Sequence, residues 1–166
     1  MPVGNRFLSL ADAFELLADS LATLDRTGSV PASVRLTPIL GPATIVQTGG
    51  PAHTEVTAGA IRQAAAGIIG KIQNTEWKPV PDNAVPWNVR VGDLDLNSYQ
   101  FLRLMAASYL APDAGAKLPV RSTYARSAAL TAFPTNQLSS DASSVWTFVP
   151  APLNLTPART ASTKTH

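Results

Sequence analysis

Cysteine is missing from all 166 residues, and that absence removes disulfides, thiolate nucleophiles and cysteine-based zinc sites together. Compartment stays open on this evidence. Histidine is nearly as scarce: His53 lies in a Gly-Pro loop and His166 is the last residue. With no second histidine in an ordered setting, a histidine-rich metal site or a nucleophile triad is hard to assemble. His53 with Glu55 could tune a proton-transfer group. A solvated loop histidine is the stronger reading. Charge is also sparse, at 14% of residues against roughly 25% in an average soluble domain, so polarity must come from Ser, Thr, Asn and Gln. The net charge of +2 is too small, and its bases too scattered, for a nucleic-acid footprint. Arg121, Arg126, Arg159 and Lys164 do leave the C-terminal third short of acids, with Asp141 alone after Asp113; a solvated tail explains this. No apolar run approaches the ~20 residues of a membrane span. The start, Met1-Pro2-Val3, does not read as a secretion signal, so an exported protein would carry this chain as a mature fragment or excised domain. Gly49-Gly50-Pro51 lacks the spacing and the lysine of a phosphate loop.

What the chain does contain is a faint copy of itself. Residues 3–31 align without gaps on 91–119. Identities fall at Val3/Val91, Gly4/Gly92, Leu8/Leu96, Leu16/Leu104, Ala18/Ala106, Ser20/Ser108, Asp25/Asp113 and Pro31/Pro119. The order is physical: strand end, glycine turn, amphipathic helix, polar turn, proline. Self-similarity of this kind marks architectures that bind or assemble through a repeated surface. With 45% apolar residues the chain can bury a core, and its length fits one domain or two small ones. The reading adopted is one domain over 1–149 and a flexible or partner-docked tail over 150–166, where Pro, Thr, Ser and Ala run without period.

Three helices are expected. Ser9 caps 10–24, with Asp12 in a capping-box role and Leu10, Ala13, Phe14, Leu17 and Leu21 inward. Thr57 opens 58–73, where Ile61, Ala64, Ala65, Ile68, Ile69 and Ile72 form one apolar face. Gly67 and Gly70 in that helix suggest a closely packed neighbour, since each costs about 1 kcal/mol relative to alanine. Asn97 caps 98–110, with Phe101, Leu102, Leu104, Met105, Tyr109 and Leu110 inward and Pro112 as the stop. Short strands are expected at 33–36, 44–47, 87–91 and 145–149, the first two separated by a turn over 38–42 that Gly41 permits. The fold class is α+β with a proline-rich C-terminal tail.

The acidic cluster Asp93-Leu94-Asp95-Leu96-Asn97 opens like a calcium loop. Position six, however, is Ser98 where glycine belongs, and position twelve is Leu104 where a bidentate glutamate belongs. A turn feeding a capped helix accounts for it without a metal. Nor does any pair among the eleven acids sit in a recognisable catalytic setting, and the chain is read as non-catalytic with no cofactor. Aromatic residues give the best lead to binding. Trp77, Trp87, Tyr99 and Trp146 lie in or beside loops, and a flat aromatic face with acid and amide neighbours holds a sugar or a peptide at modest cost. Core burial is the usual role of a tryptophan. That role weighs more on Trp87 and Trp146 than on Trp77, which sits between Glu76 and Lys78. The candidate ligand-binding set is Trp77, Trp87, Asp93, Asp95 and Tyr99.

From 61 to 110 the order is helix, polar turn, proline-rich extended stretch, Val-x-Val-Gly, leucine, cap, Phe-Leu-x-Leu-Met-Ala. On Ala64-Ala65, Pro86, Val89, Val91-Gly92, Leu96, Phe101-Leu102 and Leu104-Met105-Ala106, this segment resembles the pseudomurein-binding repeat, a small module of cell-surface proteins. In the first copy Val3-Gly4, Leu8 and residues 14–18 keep the later part of the pattern, without the leading helix. The stretch 78–86 is longer than the pattern favours. The resemblance implies an extracellular or cell-surface module attached to a cell-wall polymer. The alternative reading is a structural subunit whose tail and 36–51 loop are ordered by neighbouring subunits, since proline leaves little entropy to lose on docking.

Overall fold

Each of the two similar units is a short antiparallel hairpin that runs into a capped helix. The computed structural model describes residues 2–3, 6–42, 51–74 and 83–122, with backbone alone at 2–3 and 6–7. In the first unit β1 (Pro2–Val3) pairs with β2 (Arg6–Phe7) and leads to α1 (Leu10–Thr27). Between the units lie β3 (Thr54–Thr57) and α2 (Ala58–Ile72). The second unit joins β4 (Asn88–Val91) and β5 (Leu94–Asn97) to α3 (Ser98–Leu110), and β6 (Lys117–Val120) returns to pair with β3. Among the described residues the fold is α+β: three helices with antiparallel two-stranded pairs.

The caps explain where the helices start. Asp12 N–H donates to Ser9 Oγ at 3.0 Å while Ser9 N–H donates to Asp12 Oδ2 at 2.8 Å. Eighty-eight residues on, Gln100 N–H donates to Asn97 Oδ1 at 2.9 Å and Asn97 N–H to Gln100 Oε1 at 3.2 Å. Each box satisfies two amides that a helix start would otherwise leave open. α1 ends at Gly28, whose φ of 74° suits a left-handed cap, with its N–H on the Leu24 carbonyl at 2.9 Å. α3 ends at Ala111, extended as expected before Pro112.

The units differ in how their helices are rolled. Counting from the caps, α1 turns its second, fifth, ninth and twelfth residues inward (Ala11, Phe14, Ala18, Leu21), whereas α3 turns its first, fourth, eighth and eleventh (Ser98, Phe101, Met105, Ser108). One residue is about 100° of helix rotation. Phe14 therefore meets Phe101 across the core, with ring centroids 5.9 Å apart and planes at 47°, rather than matching its aligned partner Leu102. In β4 and β5 the alternation is regular: Val89, Val91 and Leu96 are buried, while Arg90 faces Asp95 outside. Gly92, at φ 59°, takes the first place in the two-residue connection, where a side chain would be strained.

Several sequence expectations are corrected. Residues 33–36 form no strand. They belong to a strap whose Thr37 amide is taken by the Glu15 carboxylate instead of a strand. Residues 94–97, read as a turn, are strand β5. Leu10 and Leu17 are only half-buried, and Ala11 and Ala18 take their place against the core. Tyr109 and Leu110 are 42% and 82% exposed, because the last turn of α3 extends beyond the core. Among the described residues no close neighbour covers Gly67 or Gly70: a Cβ on either would meet none of their atoms within 4 Å. Within α2 it is Gly59 that has a close neighbour: a Cβ there would lie 3.1 Å from the Ala114 carbonyl oxygen and 3.2 Å from its Cβ. The expected strands at 44–47 and 145–149 and the tail at 150–166 lie outside the described residues.

Candidate functional site

α3 organises the surface through its first turn. The Ser98 hydroxyl donates to the Pro86 carbonyl, and its N–H donates to the Trp87 carbonyl at 3.3 Å. Pro86 and Trp87 thus have their backbone fixed from a fully buried serine, while Trp87 itself remains 49% exposed. An indole half in water on a pinned backbone is ready to stack on a ligand, because little entropy remains to be lost. The core role that a tryptophan usually fills is therefore not the one Trp87 has here.

The other expected ligand residues divide along the hairpin. Asp93 and Asp95 sit at the turn end, and Arg90 answers both, with Nη1 3.4 Å from Asp95 Oδ2 and Nη2 3.9 Å from Asp93 Oδ1. The same guanidinium donates from Nε to the Gly92 carbonyl at 3.2 Å. These ion pairs are open to water and contribute little to stability. Trp87 lies beyond the other end of β4, so the strand, at about 3.3 Å per residue, separates it from the acids by roughly 10 Å or more. Tyr99, the second residue of α3, is half-buried against the core. The structure thus places Trp87 beside the start of α3 and keeps the acids apart from it. Trp77 and Trp146 lie outside the described residues. Among the described residues no three metal-ligating side chains come together, and no helix is long and apolar enough to cross a membrane.

A second feature escaped the sequence reading. Around the Thr54–Val120 end of the β3–β6 ladder lies a hollow of about 750 Å³, lined by residues 52–55 and 119–122. His53, Glu55, Arg121 and Ser122 stand exposed around it. Both walls are fixed by one buried side chain: Gln100 Nε2 donates to the Pro51 carbonyl at 2.7 Å and to the Arg121 carbonyl at 2.9 Å. No local pattern signals this arrangement, since β3 and β6 are far apart in the chain and the amide joining their ends belongs to a third element.

No family model, no curated protein and no solved structure matches this chain.

Proposed function

We propose that this chain is a non-catalytic binding module that attaches to a cell-wall or other surface polymer outside the cell. The observation that carries the reading is Trp87: an indole 49% exposed on a backbone pinned by Ser98. A rigid aromatic platform can stack on a sugar ring or peptide plane without first being ordered. The likeness of 61–110 to a wall-binding repeat supports the same reading. Tyr99, at the start of α3, is a further candidate in recognition; Trp77, Asp93 and Asp95 complete the proposed set. Retention of the purified chain on insoluble pseudomurein and peptidoglycan, side by side, tests it. A module of this kind is held on at least one polymer and released by Trp87→Ala. Failure to bind either polymer overturns the reading.

A structural subunit of a larger assembly is the second reading, favoured by Leu110 at 82% exposure beside Tyr109 at 42%. Apolar side chains left bare at a helix end fit a surface that neighbouring protein subunits cover. Sedimentation at increasing concentration separates the two: a free module stays monomeric, and a subunit associates.

A further inference from the structure

We propose that the hollow at the end of the β3–β6 ladder is a second binding site, for the terminal carboxylate of a short peptide. This goes beyond the Trp87 reading and stands without it, because a chain that holds no polymer can still take a free peptide.

The site is built rather than incidental. The last ladder pair is Thr54 with Val120, and just beyond it the Gln100 side chain, 1% exposed, bridges the Pro51 and Arg121 carbonyls. Its own oxygen is committed to the α3 cap, so the amide cannot turn over. On the rim held in this way, His53 adopts φ 59°. Residues other than glycine adopt that region uncommonly, histidine more often than most.

The lining selects the ligand. Arg121 makes no ion pair within 4 Å among the described residues, and its planar guanidinium matches a carboxylate with two parallel hydrogen bonds. Ser122, next to it in the lining, adds a hydroxyl. Glu55 across the ladder offers an acceptor to a peptide N–H. Ala52 and Pro119 supply apolar wall for a small side chain. A hollow of about 750 Å³ falls within the usual range for small-molecule clefts, roughly 300–1,000 Å³. Gln100 and Ser98 are two positions apart on one helix, and residues so spaced do not share a face. The hollow and the Trp87 platform therefore lie on different sides of the start of α3.

The test is a titration of the full ¹⁵N-labelled chain with N-acetyl-Ala-Ala as the free acid and as the C-terminal amide, followed by amide shifts. The free acid is expected to move Thr54, Glu55, Arg121 and Ser122 saturably, and the amide form to bind at least tenfold more weakly. Arg121→Gln, an exposed position that leaves the fold intact, should raise Kd at least tenfold, whereas Trp87→Ala should leave it unchanged. Equal binding of acid and amide, no saturable shift at these residues, or an Arg121→Gln variant that binds as well as the parent overturns the proposal. Because Trp87→Ala is read separately on polymer, either site can fail without the other.

Discussion

The Glu15 carboxylate takes the Thr37 amide on both its oxygens, at 3.1 and 3.0 Å, and the Thr37 hydroxyl at 2.6 Å. Glu15 is fully buried in the middle of α1, where a charge is costly unless hydrogen bonds satisfy it. Gln73 Nε2 supplies a further donor at 3.2 Å, so one carboxylate ties α1 to the strap that follows it and to the end of α2. Glu15→Ala is expected to cost about 2–4 kcal/mol, since it leaves buried donors without an acceptor. Urea unfolding reads the loss, and hydrogen exchange should show the Thr37 amide losing protection.

The glycines of α2 should respond with opposite signs. Gly67→Ala and Gly70→Ala fill open space in a helix and are each expected to stabilise by about 0.5–1 kcal/mol. Gly59→Val meets the Ala114 backbone, against which its N–H already donates at 2.8 Å, and should destabilise by about 1–3 kcal/mol through overpacking. Thermal melts of the three variants decide this. A Gly59 variant more stable than the parent would refute the close approach.

Phe14 and Phe101 should prove coupled. Truncating either to alanine removes a fully buried ring and should cost about 3–5 kcal/mol. A double-mutant cycle should return a favourable interaction of about 0.5–1.5 kcal/mol for the tilted pair. Leu102→Ala, at the position the sequence alignment sets against Phe14, should show coupling near zero.

Gln100→Glu keeps an acceptor for the α3 cap but brings a carboxylate against two carbonyl oxygens. The expected loss is about 2–4 kcal/mol, with hydrogen exchange accelerating first in β3 and β6. Uniform acceleration across all three helices would show that the amide does not act on the sheet.

Trp87→Ala should leave the urea midpoint nearly unchanged, because half its surface is already in water and its backbone is held through main-chain carbonyls. A drop of several kcal/mol would return Trp87 to a core role and remove the support for its binding role.

How much of this was legible depends on the reach of each interaction. The caps at Ser9 and Asn97 were readable because both partners sit three residues apart. The helix spans followed from them, within three residues at the far end of α1. Glu15 was not readable, since its partners Thr37 and Gln73 lie 22 and 58 residues away. β6 alternates over just four residues, too short a pattern to separate from a loop until β3 is laid beside it. The glycine choice failed for the same reason: Gly67 and Gly70 looked costly in the helix alone, but it is Gly59 that the 111–116 turn approaches. At the candidate site, the aromatic character of Trp87 could be seen in sequence. Its exposure could not, because that depends on how the segment before β4 meets α3, whose Ser98 is eleven residues further on.

The pairing of β3 with β6 also orders events in time. As the chain leaves the ribosome N-terminus first, β3 emerges complete at Thr57, yet its ladder partners among the described residues lie between Lys117 and Val120. The first helical amides of α2 wait as well, since Ala58 and Gly59 donate to the carbonyls of Ala116 and Ala114. Closing so long a loop is slow relative to helix formation. Nascent chains therefore should carry α1, α2 and α3 before they carry this sheet, and the hollow at its end waits on the same pairing.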